Sequence, residues 1–197
     1  MSDRIIRVNW LHDKSKWPRW DGHFDYSKYA EQVLAETWAR KRQMIVESVI
    51  GHDDDAFDFI ISGIKAEAKF QSTEKLVLEY RRLDGTPSGL STTKSDRYIM
   101  VNQGWSNKVM GKVGKIRVFK TKQLQQLVWN NIEAGTNVVE YAAINGPGSK
   151  AVVLDSREVV HDWLGDVPMT WEDGGAAYNF GEIENFSNPY FNKLNVA

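Results

Sequence analysis

The chain has no cysteine, so it forms neither a disulfide nor a thiolate metal site, and it suits a reducing compartment. Its four histidines, His12, His23, His52 and His161, show no metal-ligand spacing. No apolar run approaches the roughly 20 residues that cross a bilayer, and Met1-Ser2-Asp3-Arg4 begins no signal peptide. A cytoplasmic protein without membrane contact is the expectation. Net charge is missing too. At −1 the chain lacks the overall basic footprint of a nucleic-acid binder. Asp53-Asp54-Asp55 lacks the spacing of a calcium loop, and the glycines before Lys150 lack that of a phosphate loop. No internal repeat or low-complexity tract is present.

What remains has the composition of an ordinary globular protein. A length of 197 residues suffices for a single domain with a sizeable core. The stretch that organises it runs from Phe57 to Gln71, where two short runs rich in Ile, Phe and Ala flank Ser62-Gly63. That dipeptide suits a two-residue hairpin turn. With the turn there, Ile61 faces Ile64, Ile60 faces Lys65, Phe59 faces Ala66, and Asp58 falls opposite Glu67. Directly opposed residues share a face, with Cβ atoms about 4.5–5.5 Å apart. Alternation then sets Lys65, Lys69 and Gln71 on the Glu67 side and Ala66, Ala68 and Phe70 on the other.

Like charges opposed across a sheet are destabilising, so a bare Asp58–Glu67 pair asks for a counter-ion. Mg²⁺ takes one or two protein carboxylates, keeps several waters and leaves positions for phosphate oxygens. Lys69 beside it would steady the attacking water and offset charge developing on the phosphate. The alternative is a solvated hairpin with cross-strand ion pairs.

An acid opening one strand, a tight turn, then Glu-x-Lys on the next resembles the PD-(D/E)xK nuclease superfamily. Asp58 matches the first acid of that pattern and Glu67-Ala68-Lys69 the Glu-x-Lys, with Phe57 standing where the family usually has Pro. The resemblance implies an α/β (α+β mixed sheet) fold: a restriction-endonuclease-like core with a mixed central sheet of about five strands flanked by helices. It implies a Mg²⁺-dependent deoxyribonuclease, with Mn²⁺ as a substitute, in which Asp58, Glu67 and Lys69 are catalytic. In the family the first helix often adds a Glu to the metal site. Glu36 is the choice here, Glu31 the second, and Asp55 a fallback ligand. DNA is the implied partner, and a homodimer is compatible, since many members cut two strands as dimers. A non-catalytic nucleic-acid-binding or structural protein with the same fold is the alternative.

The rest of the chain is read around that core, 27–133, with an aromatic N-terminal arm, 1–26, that opens on a short strand near Ile5–Trp10, and a C-terminal extension, 134–197. Ser27 is a plausible cap for a helix reaching Arg42, and Gln43–Ile50 reads as a strand. Further strands are expected at Leu76–Tyr80, Arg97–Val101 and Lys115–Phe119. Thr121 is expected to cap a helix from Lys122 to about Glu133, its Leu124, Leu127 and Val128 facing the core. The extension reads as short strands at Val138–Ala143 and Ala151–Asp155 and a short helix at Ser156–Leu164.

Gly89 through Met100 is similar to a segment that follows the Glu-x-Lys strand in phage and bacterial members of the superfamily. Lys94, with Thr92 or Thr93, is the implied phosphate contact there, and Gln71 joins them on the Glu67 face. Residues 108–122 carry Lys108, Lys112, Lys115, Arg117, Lys120 and Lys122 without an acid. Such a patch steers a polyanion even on a neutral protein, with Lys112 and Lys115 at its centre.

Overall fold

The structure, a computed structural model, describes residues 4–8, 26–49, 57–71, 73–105, 112–142, 148–172 and 175–183. Along the chain these form β1 (Ile5–Val8), α1 (Tyr26–Arg42), β2 (Val46–Val49), β3 (Phe59–Ile61), β4 (Ile64–Phe70) and β5 (Lys75–Arg82). A 3-10 turn (Gly89–Ser91) precedes β6 (Arg97–Trp105), β7 (Lys112–Lys120) and α2 (Thr121–Ala134). Then come β8 (Val138–Tyr141), β9 (Ser149–Asp155), β10 (Asp162–Glu172), β11 (Gly175–Asn179) and a second 3-10 turn (Phe180–Ile183). The result is a mixed α/β fold in which strands predominate.

The strands divide into two sheets. The larger runs β1-β11-β10-β7-β6-β4-β3-β2, and the smaller β5-β9-β8. Within the larger, β4 and β6 are parallel, Glu67 lying beside Tyr98 and Lys69 beside Met100. Parallel neighbours need a long crossover. Here the crossover is not a helix. The chain leaves β4, forms β5 in the small sheet, makes the 3-10 turn and returns as β6.

Alternation along β6 sorts the two cores. Ile99 and Val101 point to one face, where they meet Phe59, Ile61, Ala66 and Ala68. That face is covered by α1, whose Ala30, Val33, Leu34 and Trp38 make an apolar stripe at helical spacing. Tyr98 and Met100 point to the other face. There they pack with Leu76 and Leu78 of β5, Val152 of β9, and Leu124 and Val128 of α2. Leu127 joins that core half-buried.

Several expectations need correcting. The sheet around the hairpin has eight strands rather than about five. Ser156–Leu164 is not a helix: residues 156–158 form turns and β10 begins at Asp162. The stretch 134–197 supplies β8 and β9 to the small sheet and β10 and β11 to the large one, with β10 between β7 and β11. The strand expected near Ile5–Trp10 is present as β1, and it pairs along β11 from Ile5↔Asn179 to Val8↔Ala176. Thr121 is the first residue of α2 rather than its cap. Lys120 occupies the cap position and makes no side-chain cap bond. The Thr121 hydroxyl lies 3.0 Å from Ser95 Oγ instead.

The join between β7 and β10 allows no extra volume. Gly114 sits opposite Val167, and a Cβ on it would come within 2.5 Å of Val167 Cγ1 and 2.7 Å of the Tyr178 ring. Overpacking of this kind typically costs about 1–3 kcal/mol. Gly114→Ala is therefore expected to lower stability by about 1–3 kcal/mol, read as a lower urea midpoint at unchanged m-value. An unaltered midpoint would mean that β10 slides freely on β7.

Candidate active site

The site is built on β4, whose two faces have opposite character. Ala66 and Ala68 are buried against α1, while Glu67 and Lys69 face the crossover. The observed register of the hairpin is Phe59↔Ala66, Ile60↔Lys65 and Ile61↔Ile64. The pairing ends there, and Asp58 lies one residue before β3, its charge close enough to Glu67 to raise that carboxyl. Two contacts hold Asp58 there: its N–H donates to the Ala66 carbonyl at 3.0 Å, and its Oδ2 accepts from the Ala68 N–H at 2.7 Å.

Glu67 is buried, only 9% exposed. Its Oε1 lies 2.7 Å from Lys69 Nζ, and its Oε2 accepts from the Thr93 hydroxyl at 3.2 Å. Thr93 Oγ1 in turn lies 3.0 Å from Ser95 Oγ, so a row of hydroxyls runs from Glu67 through Thr93 and Ser95 to Thr121. Burial pushes the Glu67 carboxyl above the usual carboxylate range, and the Asp58 charge adds to this. The Lys69 ammonium and the Thr93 hydroxyl pull the other way without cancelling it. Lys69 itself is held charged. Burial works against its ammonium but is outweighed by the oxygens of Tyr98, Glu67 and Asp58. Burial likewise raises the Tyr98 phenol, the adjacent Lys69 opposing.

Glu67 and Lys69 form one wall of a cleft of about 520 Å³. The opposite wall comes from the crossover: Val77, Glu79 and Arg82 of β5, then Pro87, Ser88 and Thr92. Glu79 Oε1 accepts from the Ser88 hydroxyl at 2.5 Å. Tyr98, Glu79 and Arg82 were not singled out from sequence. A parallel register such as Glu67↔Tyr98 leaves no local signal. Glu79, however, alternates with Leu78 and Tyr80 on a strand, which marks it as facing away from an apolar core.

Set against family models, curated proteins and solved structures, the chain matches none.

The other residues chosen from sequence are placed as follows. Glu36 is not brought to the hairpin acids as a third ligand. It pairs with Arg4 at 2.8 Å and accepts from Gln32 at 3.0 Å. Among the described residues no three acidic or histidine side chains cluster as a metal site. The Gln71 amide is committed to β5: Nε2 donates to the Val77 carbonyl at 2.6 Å and Oε1 accepts from the Val77 N–H at 3.0 Å. Thr93 is buried with its hydroxyl on Glu67, whereas Lys94 is exposed beside it. Lys115 is ion-paired with Asp166 at 2.6 Å across β7 and β10. Lys112 opens β7, its side chain outside the described residues, as are Lys108 and Asp55.

The donor set fits a hard divalent cation. Asp58 and Glu67 lie near each other and offer carboxylate oxygens with neither sulfur nor imidazole beside them, the chemistry that a hard cation such as Mg²⁺ takes.

Glu67 also makes a pH signature. Its folded pKa lies above the unfolded value, so the stability it contributes is fully present below the ordinary glutamate pKa of about 4.3. That contribution is lost as pH rises through the folded value. Glu67→Gln mimics the protonated form at every pH. Its stability relative to the parent is therefore expected to increase as pH rises above the ordinary glutamate range, read as the difference in urea midpoint. A flat or falling difference would show that Lys69 fully compensates the buried carboxylate.

Proposed function

We propose that the chain is a metal-dependent DNA nuclease of the PD-(D/E)xK type, hydrolysing phosphodiester bonds at Asp58, Glu67 and Lys69. The observation that carries this reading is a buried Glu67 with the Lys69 ammonium 2.7 Å from its carboxylate and the Asp58 charge near enough to raise it. Asp58 and Glu67 are the carboxylates that would hold the cation. A bound Mg²⁺ or Mn²⁺ supplies charge neutralisation for the scissile phosphate and lowers the pKa of its water.

The chain's own groups do the rest. Ala68 N–H fixes one Asp58 oxygen, and Thr93 fixes one Glu67 oxygen, so both carboxylates are oriented before anything binds. Lys69, kept protonated, presents a positive charge where a phosphate oxygen gains negative charge, the form of stabilisation that preorganised cations give. The crossover wall limits water around these groups and so strengthens each interaction. Restriction-endonuclease-like architecture is part of the same proposal. A helix, the β2–β3–β4 meander and a parallel β6 support it.

The Lys69–Glu67 ion pair favours a second reading, in which an inherited site is closed by its own salt bridge and the protein only binds nucleic acid. Three variants separate the two. Asp58→Asn and Glu67→Gln are expected to abolish Mn²⁺-dependent hydrolysis and also thermal protection by the cation, about 2.7 kcal/mol in the parent at 100 times Kd. Lys69→Met is expected to keep that protection while slowing the chemical step roughly 100-fold or more. Full protection by Mn²⁺ in both carboxylate variants would sink the metal site. Wild-type turnover in Lys69→Met would remove that residue from the chemistry.

A further inference from the structure

We infer that the cleft accepts an unpaired DNA strand, such as a single strand or a frayed end, and excludes an intact duplex. The inference rests on the nuclease reading and names its substrate class. Three observations carry it. The first is enclosure: Glu67 is buried beneath the crossover rather than displayed on an open sheet face. The second is size. A space of about 520 Å³ corresponds to a cube about 8 Å on edge, whereas the major groove of B-DNA alone is roughly 12 Å wide. The Glu67–Lys69 end therefore has room for one backbone with its base, not for two paired strands.

The third is the chemistry of the two walls. A duplex presents two phosphate chains and is usually gripped by several lysines and arginines. The wall facing Glu67 and Lys69 is of another kind: Val77 and Pro87 are apolar, Glu79 and Ser88 are polar, and Arg82 alone is cationic. Apolar surface and a carboxylate suit the face and amino edge of an unstacked base, and a paired base presents neither in that way. Lys115, central to the basic stretch, is tied to Asp166. The geometry thus divides one nucleotide between two walls. Its phosphate goes to Lys69 and the carboxylate-bound cation, its base to Val77, Pro87 and the Glu79–Ser88 pair.

The test compares three probes with the full chain in Mn²⁺: an end-labelled single-stranded oligonucleotide, the same sequence as a blunt hairpin-capped duplex, and relaxed covalently closed plasmid. Binding of the first two is measured in parallel by anisotropy with Ca²⁺ in place of Mn²⁺. Cleavage confined to the single strand, with affinity for it roughly tenfold or more above the duplex, is the expected result, the scale of one base contact. Arg82→Glu, at an exposed position, is expected to weaken single-strand binding more than duplex binding. Equal affinity for the two forms, or nicking of closed plasmid at the single-strand rate, overturns the inference and leaves the nuclease reading standing. Single-strand preference without cleavage of any probe keeps the inference about the cleft and overturns the hydrolase. Binding of neither form overturns both.

Discussion

Two residues, Ser62 and Gly63, hold the geometry on which the site depends. Both have positive φ, 45° and 76°, the pair of conformations a tight two-residue hairpin requires. Gly63 adopts this without steric cost, but Ser62 does not. The strain at Ser62 is offset by contacts to the strand before it. Its hydroxyl accepts from the Ile45 N–H at 3.0 Å, and its own N–H donates to the Ile45 carbonyl at 2.9 Å. The turn is thereby stapled to the entry of β2 and cannot drift. A slip of one residue in β4 would turn Glu67 and Lys69 into the α1 core and turn Ala66 and Ala68 into the cleft. Burying a carboxylate and an ammonium among Phe59, Ile61 and Leu34 is costly enough to forbid that alternative.

The second constraint is the route from β4 to β6. A helical crossover would have laid an apolar stripe over Glu67. β5 instead pairs with β9, a strand some seventy residues later in the chain, and only part of its surface faces β4. Gln71 makes the change of sheet tolerable. Its amide satisfies both backbone groups of Val77 at the point where β5 departs, the role a neighbouring strand would otherwise have. The space left between the sheets is where Glu67, Lys69, Tyr98 and Glu79 converge.

How much of this was legible follows from the range of each signal. The hairpin register could be read because a two-residue turn leaves one pairing and because alternating Ala and charged residues mark the faces of β4. The helix at Thr121–Ala134 was legible for the same kind of local reason, its Leu124 and Val128 one turn apart. β10 was not. Its apolar positions are Leu164, Val167 and Met169, and the register shift between Trp163 and Gly165 breaks the period of two just where a helix would be suspected. One partner, Val113–Val118, is remote, whereas the other, Gly175–Tyr178, begins just after β10 ends, so only the second left a local signal. Thr93 and Gln71 show the limit in reverse. Each has the right residue type on the right face, but a nearby partner, Glu67 in one case and Val77 in the other, takes its hydrogen-bonding capacity first.

The same competition bears on the charges at the centre. Asp58 and Glu67 bring two carboxylates near each other, and Lys69 brings one ammonium. Thr93 and the Ala68 N–H each add a neutral donor, which orients an oxygen but cancels no charge. Were this group purely structural, the simplest improvement would be to lose one acid, since a lone Glu67–Lys69 pair would be balanced. Keeping Asp58 leaves an excess of one negative charge beside a group that burial already makes reluctant to ionise. A divalent cation reverses that balance. Added to two carboxylates and an ammonium, it leaves the site with one net positive charge, the sign needed to receive a phosphodiester. The imbalance of the resting side chains thus has the direction and size that binding a cation and then a phosphate would correct.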